Sequence, residues 1–173
     1  MFKSLRWVMA LLGTIGVAAA LAVAAQGYHF INKLDASATK AYVAKDVVAD
    51  ILPPPMYLIE MRLVLSMMLD GSLSPAEGKK RFDELAAEYA QRVDYWSKNP
   101  PYGLEAKLLG AQHTAAQAFM AAARSQIVEP LAAGQGDVAK THLAAVHALY
   151  LQHRAGVDAT VTDGNAFVAA SIK

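Results

Sequence analysis

Cysteine is missing from the chain altogether. Its absence removes disulfides, thiolate nucleophiles, zinc–thiolate sites and haem attachment through C-x-x-C-H. Glycine (11) and proline (7) are sparse and clustered among the 173 residues, and no run of alternating strand-forming residues occurs. With alanine and leucine dominant, the expected class is all-α. A net charge of +1 gives no global case for nucleic acid as a partner. Catalytic signatures are lacking too. His113, His142, His147 and His153 do not form an H-E-x-x-H arrangement, and the chain has no Gly-rich phosphate loop, nucleophile elbow or Glu-x-x-His pair. No enzyme activity, metal or cofactor is expected.

What is present begins at the N-terminus. Lys3 and Arg6 precede an apolar run from Trp7 to Ala25, and charge returns only at Lys33. About 20 apolar residues in a helix cross a hydrocarbon core. Basic residues before the run, with Trp7 ahead and Tyr28 and His29 behind, predict a cytoplasmic N-terminus. The expected organisation is a cytoplasmic leader (1–6), a transmembrane helix (7–30) and an exported domain (31–173). A cleaved signal peptide is the competing reading, because Ala22-Val23-Ala24 fits an A-x-A site.

The stretch from Asp50 to Arg62, D-I-L-P-P-P-M-Y-L-I-E-M-R, interrupts helix-favouring sequence with Pro53, Pro54 and Pro55. Each proline inside a helix removes a donor and clashes with the carbonyl four residues earlier, at about 3 kcal/mol. One helix is therefore expected to end near Leu52 and another to start with the prolines in its first turn. Residues 57–69 are apolar almost all round, so cover from a second copy of the chain is expected. Asp70-Gly71-Ser72 reads as a turn, and Ser74-Pro75-Ala76-Glu77 as a capped helix start. The following helix places Phe82, Leu85 or Ala86, Tyr89, Val93 and Trp96 inward and stops at Asn99-Pro100-Pro101-Tyr102-Gly103. A third, from Leu104 to Leu131, puts Leu104, Leu108, Ala111, Ala115, Ala118 or Phe119, and Ala122 inward. A fourth is capped by Asp137, carries Leu143, Val146, Leu149 or Tyr150, His153, Val157 and Val161, and is weakened at Asp163-Gly164-Asn165. Short loops between these helices predict an up-down-up-down four-helix bundle.

Taken together, the basic leader, the single membrane helix, I-N-K-L-D after it, I-L-P-P-P-M-Y-L-I-E, and Tyr150-x-x-His153-Arg154 on the last helix resemble the N-terminal half of bacterial methyl-accepting chemotaxis proteins. The resemblance implies an inner-membrane anchor and a periplasmic four-helix sensor domain that binds a small molecule and forms a homodimer. The family's second membrane helix, linker and cytoplasmic signalling hairpin do not follow Lys173. The chain is thus expected to be the sensor part of a longer receptor or the product of a truncated gene.

Counting at about 1.5 Å per residue from the two distal turns brings several donors to one depth near the proline joint. Tyr57 and Arg62 come from the first helix, Arg92 with Tyr89 from the second, Gln117 and Phe119 from the third, and Tyr150, His153 and Arg154 from the fourth. A guanidinium fork with phenol donors suits a carboxylate. The candidate ligand-binding set is Arg62, Tyr57, Tyr150, His153, Arg154 and Arg92, and the expected ligand a di- or tricarboxylate. Ordinary partners compete: Glu60, Ser66 or Asp70 for Arg62, Glu88 for Arg92 and Asp158 for Arg154. Tyr95 and Trp96 read as core and loop anchors. The alternative function is a membrane-anchored helical adaptor that binds protein and no small molecule.

Overall fold

The computed structural model describes residues 2–51, 56 and 58–171, with the side chains of 2–4 and of Ile51 excepted. It is all-helical, with no strand among the described residues. The chain divides into two compact units, Met1–Thr39 and Lys40–Lys173.

The first unit is helical throughout, as the N-terminal part of α1 (Phe2–Ile51). Its large apolar side chains, among them Trp7, Leu12, Leu21 and Phe30, are exposed. By length and composition α1 is long and apolar enough to cross a membrane, the only such helix among the described residues.

The second unit holds the end of α1, then α2 (Ile59–Asp70), α3 (Pro75–Lys98), α4 (Gln112–Ala123), α5 (Glu129–Ala132) and α6 (Gly136–Ser171). A break separates α1 from α2, since Met56 and Leu58 are not helical and α2 starts at Ile59, while Leu52, where the break was expected, lies outside the described residues. Pro53, Pro54 and Pro55 lie outside the described residues. Between α2 and α3, Gly71 takes the left-handed conformation (φ 83°) that ends a helix at no steric cost. Asp70 Oδ1 accepts from Ser72 N at 2.8 Å and closes the turn. Ser74 caps α3 as expected: its Oγ accepts from Glu77 N at 3.3 Å and donates to Glu77 Oε2 at 2.6 Å. Phe82, Leu85, Tyr89 and Trp96 are buried along α3.

The segment expected as one regular helix from Leu104 to Leu131 is more complex. A π-helical turn, Ala106–Ala111, precedes α4, and a second, Arg124–Val128, separates α4 from α5. The first contains Gly110 at non-helical φ −93°, ψ −109°. A π turn inserts one extra residue per turn, and its effect on packing is direct. The inward positions expected at Ala111, Ala115 and Ala122 move by one, so Gln112, Ala116 and Ala123 are buried instead. The second π turn accommodates Pro130. Glu129 N bonds to Arg124 O, five residues back, and the wider turn relieves the clash that a proline imposes on a regular helix.

α6 packs most extensively on α4. Two expectations for it are corrected. Asp137 lies inside the first turn of a helix that begins at Gly136, where its charge meets the helix dipole but does not cap it. Asp163-Gly164-Asn165 does not interrupt the helix. Gly164 is buried because α1 passes close: a Cβ there would stand 2.8 Å from Val48 Cγ2. The glycine serves helix–helix approach here. Val146, Tyr150, His153 and Val157 are buried along the same face, as their spacing predicted.

On α2, Met61, Val64, Leu65 and Met68 are buried, while Ile59 and Leu63 remain 46% and 55% exposed. One apolar stripe of this helix is left half-exposed by the described residues.

Candidate functional site

Arg62 sits on the first turn of α2, half-buried, facing α6. Its Nε donates to His147 Nδ1 at 3.2 Å and its Nη1 to Ser66 Oγ at 2.6 Å. Both partners are neutral when they accept: Ser66 is one helical turn along, and His147 must carry its proton on Nε2. Among the described residues no carboxylate pairs with Arg62. Glu60, considered as its internal anion, is taken by Arg81, whose Nη2 and Nε reach Glu60 Oε1 at 2.6 and 2.9 Å. Asp70 is occupied in the Ser72 turn, which holds its carboxyl below the usual range through two hydrogen bonds. Of the three expected partners, only Ser66 contacts Arg62.

His147 links Arg62 to the core. Its ring stacks on Tyr150 (centroids 5.8 Å, 22°), and Tyr150 meets Phe119 of α4 edge-on (5.8 Å, 61°). Tyr150 is 4% exposed. The chain Arg62–His147–Tyr150–Phe119 thus runs from α2 across α6 to α4. Sequence reasoning placed Arg62, Tyr150 and Phe119 at one depth but left out His147. Its signal was available: it lies one turn before Tyr150, on the flank of the inward stripe.

His153 lies deeper and is fully buried. Its Nδ1 is 3.2 Å from the Gln112 carbonyl and its Nε2 3.1 Å from the Met56 carbonyl. A neutral imidazole has one N–H, so it satisfies one of these oxygens at a time; only the imidazolium satisfies both. Burial, the larger effect, pushes the ring's pKa down, and the two carbonyls oppose it. The Gln112 carboxamide is buried beside this contact, and among the described residues neither its oxygen nor its nitrogen is hydrogen-bonded. The π turn that rotated Gln112 inward put it there. Gly156 allows the approach, because a Cβ would stand 2.9 Å from Gln112 Cα. A polar residue on an alanine-rich seam, displaced by one position, was not legible in the heptad pattern.

Arg92 is not free for a ligand in the way expected. Its Nη2 pairs with Asp50, at the end of α1, and Trp96 Nε1 donates to the same Asp50 oxygen at 3.0 Å. The guanidinium also lies 4.4 Å from the Tyr95 ring centroid. This is a clasp between α1 and α3, and it holds Arg92 apart from the Arg62 and Tyr150 cluster. Its expected partner Glu88 reaches Arg81 instead, at 3.7 Å. Trp96 is 2% exposed, in keeping with an anchor, whereas Tyr95 is 45% exposed. Arg154 is exposed on α6, and among the described residues neither Asp158 nor another carboxylate pairs with it. The neighbouring His153 points inward and Arg154 outward, so the structure does not bring the two together. Tyr57 lies outside the described residues.

Of the six candidates, Arg62 and Tyr150 share one cluster with His147, His153 stands one turn further along α6, and Arg92 and Arg154 belong elsewhere. The chain matches no protein-family model, no curated protein and no solved structure.

Proposed function

We propose that this chain is the ligand-sensing part of a transmembrane chemoreceptor that binds a small organic anion. In this reading the N-terminal half of α1 anchors the chain in the bacterial inner membrane. The second unit is a periplasmic four-helix bundle made of the end of α1 with α2, then α3, α4 with α5, and α6. Binding shifts α6 against α1 and α2, and the displacement passes along the helices toward the membrane.

One observation carries the ligand class. Arg62 is a half-buried cation whose hydrogen-bond partners, Ser66 and His147, are both neutral, while Arg81, Arg92 and Arg124 each hold a carboxylate. Withdrawing a guanidinium from water is costly without an anion, and a carboxylate from solution supplies one in bidentate geometry. A di- or tricarboxylate is the ligand in this reading, with one carboxylate on Arg62. The test is a thermal-shift panel on the full chain in lipid nanodiscs, comparing organic acids, amino acids and neutral analogues. Stabilisation by acids, weakened as salt rises, is expected. Stabilisation by neutral or cationic compounds alone defeats the reading.

The exposed stripe of Ile59 and Leu63 supports two uses of α2. A symmetric contact between two copies fits a receptor dimer, which membrane tethering would strengthen. The same stripe is the observation that favours the adaptor reading, in which α2 binds a different protein. Leu63→Lys should turn dimers into monomers in sedimentation if the first use holds. A monomeric wild type at high concentration removes it.

A further inference from the structure

A second feature of the bundle lies away from Arg62, between α3 and α4. A groove of about 520 Å³ runs there, within the size range of small-molecule sites. Its α3 side is apolar, formed by Ala86, Ala90 and Val93. Its α4 side carries His113, Gln117 and, in the π turn that follows, Arg124. These three span about 16 Å of helix at the usual rise.

Gln117 and Arg124 present hydrogen-bond donors that the fold leaves over, whereas His113 is engaged by α3. Tyr89 OH is 3.0 Å from His113 Nδ1. The phenol and the imidazole satisfy each other there, with either one donating. Gln117 is exposed with its amide unengaged. Arg124 uses Nη2 on Asp83 Oδ1 at 2.5 Å, while Nε and Nη1 have no partner among the described residues. Asp83 also takes Lys79 at 2.8 Å, so Lys79, Arg124 and Asp83 together leave one positive charge at this end of the groove.

We infer that the α3–α4 groove is a second ligand site, for a small monocarboxylate with an apolar body. The apolar part would cover Ala86, Ala90 and Val93. The carboxylate would take the open edge of the Arg124 guanidinium, with Gln117 lining the groove two turns before it on α4. Charge complementarity selects an acid over an amine, and the apolar wall selects against a compact polyacid, which belongs at Arg62.

Calorimetry on the full chain in nanodiscs, with empty nanodiscs as the blank, tests this with phenylacetate as the probe and 2-phenylethanol as its neutral counterpart. Saturable binding of phenylacetate and none of the alcohol is expected. Arg124→Gln should weaken binding about tenfold, the loss of a charge-assisted contact. Ala90→Trp, at an exposed position, should block the groove, and Gln117→Glu should repel the acid. Arg62→Ala should leave phenylacetate affinity unchanged, which separates this site from the one on α2. No binding, equal binding of the alcohol, or wild-type affinity in both Arg124→Gln and Gln117→Glu overturns the inference. So does loss of binding in Arg62→Ala with affinity kept in Ala90→Trp.

Discussion

Arg62 and Arg92 carry the same side chain at similar burial, yet the chain treats them differently. Around Arg92, charge is matched internally: Asp50 takes the guanidinium and the Trp96 indole, and the Tyr95 ring lies against it. Around Arg62 the partners are a hydroxyl and an imidazole, and the nearest carboxylate in sequence is held by Arg81. At Arg92 the ion pair, the indole and the Tyr95 ring fasten two helices, and the Nε left over among the described residues is buried away from solvent. A cation with neutral partners keeps its charge available. In the proposed reading the difference separates a structural arginine from a receptive one, although sequence spacing had put both in one ligand set.

The largest effect should come from breaking the closed pair. Asp50→Ala leaves Arg92 and the Trp96 N–H without their acceptor at the end of α1, and should lower unfolding stability by about 3 kcal/mol. The pair is about a quarter to a third exposed, so the loss belongs at the lower end of the range for buried pairs. Chemical denaturation measures it, and a change below about 0.5 kcal/mol would show that the clasp is idle. Arg62→Ala should do the reverse. Its stability should stay within about 1 kcal/mol of wild type, while carboxylate affinity falls by about 2 kcal/mol, roughly thirtyfold. Arg62→Lys should fall between, because an ammonium cannot form the fork.

A smaller effect concerns pH. His153 has its pKa lowered in the folded chain, so as pH drops below about 6.5 the unfolded chain takes the proton first. Stability should therefore be full above that pH and decline from there down to the folded-state pKa. His113 is shifted in the same direction, also by burial, so the two contributions must be separated by mutation. His153→Gln should flatten part of the decline in melting temperature between neutral and mildly acid pH. A steeper decline in the variant would mean that His153 is charged in the fold, clasping both carbonyls, and an unchanged slope that its pKa is the same folded and unfolded. The smallest effect is expected at Arg154. Being exposed and unpaired among the described residues, Arg154→Ala should change both stability and acid affinity by less than about 0.5 kcal/mol.

The helices were legible because their signals are local. Ser74-Pro75-Ala76-Glu77 carries a cap whose geometry needs only four residues, and the α3 and α6 stripes repeat at helical spacing. The seam of the third segment was not legible to the residue. Two π turns, one holding Gly110 and one ahead of Pro130, moved its register, and with it Gln112 came into the core in place of Ala111. At the site, shared depth was readable from counting, which is how Arg62, Tyr150 and His153 were found. Pairing was not readable. Whether Arg62 or Arg81 holds Glu60 depends on which face of α2 meets α3, and no spacing rule within one helix decides that. Gly164 shows the same limit: its local chemistry suggested a weak helix, while its position against Val48 makes it a packing glycine.

The central claim is that Arg62 is held open for an anion from solution. Calorimetry on the full chain in nanodiscs tests it most directly, with succinate and citrate set against their neutral amides, on wild type, Arg62→Ala and Arg92→Ala. The account predicts that an acid binds wild type and its amide does not. It also predicts that Arg62→Ala loses that binding and that Arg92→Ala, though less stable, retains it. Wild-type acid affinity in Arg62→Ala, equal binding of the amides, or no binding of either acid would contradict it.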